Sequence, residues 1–336
     1  MNDSTRITDS TPMNDSTRQL EQAHAIARDL RTQIGNAFVG QDNTVGQILT
    51  ALIAAGHVLI EGVPGLGKTL LVRALARTFA GEFARIQFTP DLMPADVTGH
   101  TLYDQNSSQF TTRRGPVFTH LLLADEINRA PAKTQAALLE VMQEGQVTIE
   151  GESHQLEQPF MVLATQNPIE QEGTYALPEA QLDRFLMKVR IEYPEPDEEI
   201  NMVARVTGNQ VGERLNVSNV SSIVSPADIV MLQASAASIH VDDTVFDYAV
   251  RIVRATRNWS GVAAGAGPRG GIALVRSARS AALMQGRNFV TPDDIKSVAL
   301  PALRHRITLS PELEIERHST DSVLERVLDD VKAPRS

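Results

Sequence analysis

Gly62-Val63-Pro64-Gly65-Leu66-Gly67-Lys68-Thr69 is the stretch whose reading decides the fold. Glycines at these positions let successive backbone N–H groups curl around phosphate oxygens, while the Lys68 ammonium reaches the terminal phosphates and the Thr69 hydroxyl is placed to ligate magnesium. The flanks supply the required setting. His57-Val-Leu-Ile-Glu61 reads as a short buried strand running into the loop, and Thr69 to Phe79, with Leu70, Leu71, Ala74 and Leu75, reads as the helix that follows. Strand, phosphate loop and helix predict an α/β nucleotide-binding unit.

Working outward, short apolar strands recur at Arg85–Phe88, Leu121–Ala124, Phe160–Ala164 and Val189–Ile191, with helical patterns between several of them. That alternation predicts a mostly parallel five-stranded sheet covered by helices. Upstream, Leu20, Ala23, Ala27, Leu30 and Ile34 mark an amphipathic helix stopped by Gly35, and a second helix is expected over Thr44–Ala55. Tyr193-Pro-Glu-Pro-Asp197 reads as a linker, because two prolines one residue apart disfavour helix and cannot occupy a central strand. Beyond it the strand signal fades. Helical stretches at Pro226–Ser238, Thr244–Asn258, Arg269–Gln285 and Thr291–Ala299 predict a small all-helical second domain. The expected division is a disordered tail over 1–18, a nucleotide-binding core over 19–193 and a helical lid over 194–336. The tail repeats Met1-Asn-Asp-Ser-Thr-Arg6 as Met13-Asn-Asp-Ser-Thr-Arg18 and has no apolar run to make it a signal peptide.

Composition narrows the function classes. With 336 residues and 42% hydrophobic content the chain can bury a full core and exceeds one average domain. A net charge of -10 argues against duplex binding, which draws on a basic face. There is no cysteine, so disulfide and thiolate chemistry are excluded, which fits a reducing compartment, the cytoplasm by default. The eight histidines show no metal-ligand spacing, and His57 beside a buried strand reads as a packed core residue. The apolar stretch Ala51–Ile60 falls far short of the roughly 20 residues a membrane helix needs.

ATP hydrolysis at a phosphate loop also needs an acid that holds magnesium through water and a base that orients the attacking water. Leu121-Leu-Leu-Ala-Asp125-Glu126 supplies both at a strand tip: Asp125 is the expected magnesium acid and Glu126 the expected base. A third strand runs into Thr165-Gln-Asn167-Pro168, where the Asn167 amide can hold the attacking water, or can simply belong to an Asn-Pro turn. Arg184, in Leu177-Pro-Glu-Ala-Gln-Leu-Asp-Arg-Phe185, and Arg269, in Gly267-Pro-Arg-Gly270, are candidates for stabilising transition-state charge. A surface salt bridge is the competing reading of either, and position in the chain leaves both open.

Together these segments resemble the MoxR family of AAA+ ATPases over roughly Leu20 to Leu309. The resemblance is carried by Glu61–Thr69, Ala124-Asp-Glu-Ile-Asn-Arg-Ala-Pro131, Ala164-Thr-Gln-Asn-Pro-Ile-Glu-Gln-Glu-Gly173, Leu177–Phe185 and Leu303-Arg-His-Arg306. It implies that the loop from Gly62 to Leu70 is Walker A, that Asp125 and Glu126 are Walker B and that Asn167 is sensor 1. Arg184 is then similar to an arginine finger acting on ATP held by the neighbouring subunit, and Arg269 to sensor 2. Val39, Gly40 and Gln41 would lie near the adenine. A helix 2 insert is placed at about 94–115 and a hairpin before sensor 1 at about 146–157, both substrate-facing pore elements or plain β decoration. One departure stands out, since Gly270-Gly271 follows Arg269 where a better helix former is expected, and each glycine costs roughly 1 kcal/mol against alanine within a helix.

The resemblance implies ATP and magnesium as ligands, and a ring, usually hexameric, with ATP at subunit interfaces. It further implies a chaperone-like action on protein clients such as those with von Willebrand factor A domains. The alternatives are a magnesium-chelatase-like motor subunit, a nucleotide-gated scaffold with little turnover and, disfavoured by charge, a nucleic-acid remodeller.

Overall fold

A computed structural model of the chain describes residues 15–38, 40–63, 65–105, 108–167, 174–207 and 217–334. Val39, Pro64, residues 168–173 of the expected sensor segment and residues 1–14 of the expected tail lie outside the described residues. The first helix, α1 (Asp15–Gly35), takes in the last four residues assigned to that tail. It is followed by α2 (Asp42–Ile53), β1 (Val58–Glu61), α3 (Lys68–Thr78) and β2 (Phe83–Gln87). Next come the short α4 (Pro94–Thr98), the hairpin β3 (Gly99–Asp104) and β4 (Gln109–Arg114), then β5 (Leu121–Asp125) and α5 (Ala132–Glu144). A second hairpin, β6 (Gln146–Ile149) and β7 (Glu152–Gln155), precedes β8 (Met161–Gln166), the one-turn α6 (Glu179–Leu182) and β9 (Met187–Arg190).

Five of these strands form one sheet in the order β2-β5-β8-β1-β9, parallel at every pairing. Successive side chains of a strand point to opposite faces, and in the three central strands, β5, β8 and β1, both faces are buried. Val58, Ile60, Leu121, Leu123, Met161 and Leu163 face the cluster built with α1, α2 and α3. Leu59, Leu122, Ala124, Val162 and Ala164 face the other cluster, with α5. Near-continuous apolar runs are the consequence, which is why these strands are legible as short hydrophobic blocks. His57, just before β1, is largely covered and held at both ring nitrogens: its Nε2 lies 2.9 Å from the Met142 carbonyl and its Nδ1 accepts from Val162 N at 3.0 Å. Burial pushes its pKa down to about 4, so the ring is a neutral bridge between β8 and the end of α5.

The remainder, where the helical lid is expected, comprises α7 (Pro196–Thr207), α8 (Pro226–Ala237), α9 (Asp243–Asn258), β10 (Val262–Ala264), α10 (Pro268–Met284), α11 (Pro292–Leu303), β11 (Thr308–Leu309), α12 (Pro311–Ile315) and α13 (Thr320–Asp330). The expected linker is shorter than its two prolines implied. Pro196 opens α7, a position where the missing N–H costs nothing, and Asp197, Glu198 and Glu199 favour the positive end of the helix dipole. The lid is also more than helices, since β10 and β11 pair antiparallel.

Lid and core share one apolar cluster, in which Leu30 of α1, Leu49 of α2, Leu232 of α8 and Leu274 of α10 are all buried. Gly270 is buried inside α10, and a Cβ there would sit 3.1 Å from Leu303 Cδ2 and 3.2 Å from Ala266 Cβ. The first glycine of the unusual pair is therefore a packing requirement: it lets the end of α11 close against the start of α10. Among the described residues, no helix is long and apolar enough to cross a membrane.

Candidate active site

The parallel order places the C-terminal ends of β1, β8 and β5 side by side, and ligands of open α/β sheets collect at that edge. From β1 the chain passes through Gly62 and Val63 and, beyond Pro64, through Gly65 and Leu66 to Gly67. Gly65 and Gly67 adopt φ of +87° and +73°, conformations that strain any other residue. Gly67 is doubly constrained, because a Cβ would approach the Phe38 ring at 3.1 Å. It caps α3 without a side chain, which leaves the first N–H groups of that helix free to meet an anion. Thr69 and Leu70 are the second and third residues of the helix. Lys68 donates to the Gly62 carbonyl at 2.7 Å and so spans the loop it belongs to. Burial holds its ammonium below the ordinary value, while Asp125 and Glu126 pull in the opposite direction, which brings these three charges into one field. An uncapped helix start, a half-buried ammonium and two nearby carboxylates fit a nucleotide phosphate with its cation.

Asp125 ends β5, buried, and accepts from Thr165 Oγ1 at 2.9 Å through one oxygen and from Arg85 Nε at 2.7 Å through the other. Thr165 Oγ1 also accepts from the Glu126 backbone N at 2.9 Å, so one hydroxyl on β8 fixes both acidic positions. Glu126 sits in the left-handed region at φ 55°, a conformation costly for a non-glycine residue. Its carboxylate accepts from Gln87 Nε2 at 2.7 Å and from Arg129 Nη1 at 2.9 Å, both on Oε2. Asn167 is the buried residue directly after β8.

The other expected residues are placed as follows. Gly40, at φ +74°, and Gln41, at φ 57°, turn the chain into α2, and Gln41 Nε2 donates to the Glu192 carbonyl at 2.9 Å. That carbonyl lies one residue beyond Ile191, whose N–H binds the Glu61 carbonyl at 2.8 Å, so the turn is tied to the entrance of the phosphate loop. Arg184 follows α6 and donates to the Leu139 carbonyl of α5 at 2.6 Å. It lines a cavity of about 220 Å³ with Leu139, Glu140, Gln143, Glu144 and Gln181, and none of the described phosphate-loop residues takes part. Arg269, half exposed at the start of α10, has its Nε 4.0 Å from Asp183 Oδ2.

Sequence reasoning passed over Arg85, Gln87 and Thr165. A period-two reading of β2 puts Arg85 and Gln87 on one face, but nothing local says that this face meets the tip of β5. It also missed Glu61, which pairs with Lys188 at 2.6 Å and Arg190 at 3.1 Å. Burial raises the Glu61 pKa, but these two cations outweigh it and hold the carboxyl below its usual range. Arg190 reaches on to Asp321 of α13 at 3.0 Å, linking the strand before the phosphate loop to the lid.

Comparison with known proteins agrees with this geometry. Residues 57–187 match the ATPase family associated with various cellular activities (AAA), and residues 254–327 match the AAA lid domain. Chaperone MoxR1 of Mycobacterium tuberculosis is 44% identical over 94% of this chain and 84% of its own length. A protein of Bacillus subtilis named YeaC, uncharacterized, is 43% identical over 94% of this chain and 97% of its own. A crystal structure from Cytophaga hutchinsonii, assigned as an ATPase, superposes with a TM-score of 0.88 at 40% identity, covering 96% of this chain and 98% of that one.

Proposed function

From the premise that this chain belongs to the MoxR family of AAA+ ATPases, we propose that it hydrolyses ATP at the subunit interfaces of a ring, usually hexameric, to remodel or mature protein clients. The observation that carries this reading is the convergence of Lys68, at the helix start that follows β1, with Asp125 and Glu126 at the end of β5, the two strand ends flanking β8 on the same edge of the sheet. Gly62 to Leu70 bind the phosphates, and Gly40 and Gln41, with Val39 outside the described residues, lie toward the base. Thr69, and Asp125 through water, would hold a magnesium ion, which would neutralise phosphate charge. Glu126 takes the proton of the attacking water, and Asn167 orients that water. Thr165 keeps the two acids in register.

Arg184 is read as the arginine finger, acting on ATP held by the next subunit. Its anchoring on α5, in a cavity without phosphate-loop residues, supports a role outside its own loop. Arg269 is read as sensor 2. The β3–β4 hairpin displays Tyr103 and Phe110 to solvent with ring centroids 5.1 Å apart, which supports a client-facing role for that insert. The proposed clients carry von Willebrand factor A domains.

The test is a matched set of purified proteins with magnesium and ATP. Lys68→Ala should lose nucleotide binding. Glu126→Gln should bind ATP, scarcely turn over and, in that locked state, retain a von Willebrand factor A domain protein. Parental turnover by Glu126→Gln rejects Glu126 as the base, and indifference to such domains rejects the client class.

A further inference from the structure

Glu198, in the first turn of α7, is half-buried, and among the described residues its carboxylate makes no hydrogen bond or ion pair. It stands instead against bare backbone. A Cβ placed on Gly40 would sit 2.8 Å from Glu198 Oε2, 3.0 Å from its Cδ and 3.3 Å from its Cβ. Glycine at position 40 thus meets two needs, the φ of +74° that turns the chain into α2 and the close approach of an acid from α7. The dipole of α7 favours an acid anywhere in its first turn, but Asp197 and Glu199, which share that benefit, are exposed. Glu198 is the one laid across the turn.

That turn is attached to the phosphate loop from two directions. Phe38, two positions before Gly40, puts its ring against Gly67, where a Cβ would approach it at 3.1 Å. Gln41, one position after, donates from Nε2 to the Glu192 carbonyl at 2.9 Å, and the adjoining Ile191 N–H binds the Glu61 carbonyl at the loop entrance. The Gln41 Oε1 accepts from the Thr44 hydroxyl at 3.5 Å. Both ends of the Gln41 amide are therefore engaged within the protein, and Glu198 brings to the turn an acceptor with full charge and no donor. A half-covered carboxylate is costly to leave unanswered. Beside a phosphate loop, the donor that answers it arrives with the ligand.

We propose that Glu198 reads the base of the nucleotide, its carboxylate accepting an N6 amino hydrogen of adenine and turning away purines that carry an oxygen at that position. Adenine presents an N–H donor where guanine and hypoxanthine present a carbonyl oxygen. An ionised carboxylate only accepts, so it attracts the first edge and repels the second. The inference rests on the reading that Gly40 and Gln41 lie toward the base, and it assigns the base preference of that site to a residue of α7.

The experiment measures binding of four probes with magnesium to the full-length protein: ATP, ITP, purine riboside triphosphate, which has no group at position 6, and inorganic triphosphate, which has no base. The parent should bind ATP about tenfold to a hundredfold more tightly than ITP, the range of a hydrogen bond to a charged group, with purine riboside triphosphate between them. Glu198→Gln is isosteric and exchanges the charge for an amide that both donates and accepts, so ATP and ITP should come within about threefold of each other. Gly40→Ala, whose methyl displaces the Glu198 carboxylate, should weaken ATP while inorganic triphosphate binds as in the parent. If Gly40→Ala weakens ATP but Glu198→Gln keeps the parental preference for ATP over ITP, the inference falls and the reading of the turn stands. If neither variant changes ATP binding, the turn does not meet the base, and reading and inference fall together. A parent that binds ATP and ITP equally also overturns the inference.

Discussion

Gln87 Nε2 donates to Glu126 Oε2 across 2.7 Å, and Arg129 takes the same oxygen at 2.9 Å. The side chain read as the catalytic base is thus engaged by β2 before any water is presented to it. Withdrawing one solvent-exposed hydrogen bond to a carboxylate is worth about 1–1.5 kcal/mol, or roughly fivefold to tenfold in a rate. Gln87→Ala should accordingly raise basal hydrolysis about severalfold at unchanged ATP affinity. A fall in basal rate would mean that Gln87 orients Glu126 for reaction instead of withholding it.

Thr165 serves two masters at the strand tip, donating to Asp125 and accepting from the Glu126 amide, each at 2.9 Å. Thr165→Val keeps the volume and removes both bonds, leaving a buried carboxylate oxygen short of a donor. The expected cost is about 1–3 kcal/mol of stability by urea unfolding, with slower hydrolysis. A stable Thr165→Val protein with parental turnover would show that the backbone alone registers the acids.

The pH dependence of stability has a calculable component at His57. Its folded pKa of about 4 lies below the ordinary 6.5, so between those values the unfolded chain binds the extra proton and stability falls as pH falls. Above pH 6.5 the contribution is complete, and by pH 4 it amounts to a loss of about 3 kcal/mol. His305, pushed down by burial and by Arg306, acts in the same direction. Denaturant unfolding at pH 7.5 and pH 5 should show the loss, and His57→Gln should flatten the slope while lowering stability at pH 7.5.

The two lid glycines should respond oppositely to the same change. A Cβ at Gly271 meets only Val253 Cγ2, at 4.0 Å, so Gly271→Ala gains helix propensity of about 0.5–1 kcal/mol. At Gly270 the new methyl would press on Leu303 and Ala266, within a packed joint, so Gly270→Ala should lower the melting temperature. Equal shifts for both variants would remove the packing explanation.

Much of the fold was legible because its signals are local. Glycines with a lysine and threonine at fixed spacing mark a phosphate loop wherever it lies, and apolar blocks mark strands buried on both faces. Tyr193-Pro-Glu-Pro-Asp197 was misjudged in part because proline is a breaker inside a helix and a starter at its first turn, and Pro196 is the latter. The β10–β11 ribbon escaped because two and three residues carry no periodicity.

By itself the sequence determined the chemical inventory: a phosphate loop, two acids at a strand end, an amide at another, and two arginines without an assigned address. Strand order and lid closure were decided only in three dimensions. They bring Arg85 and Gln87 of β2 to the acids of β5, and Arg306 to the turn of Arg184, 121 to 123 positions away in the chain. The physical reason is that a motif records which groups a reaction needs, whereas the bonds that hold those groups in place cross between elements whose proximity depends on burying the whole apolar surface at once. Gly270 shows both halves: as a residue it weakens a helix, and as a contact it lets the end of α11 close against the start of α10.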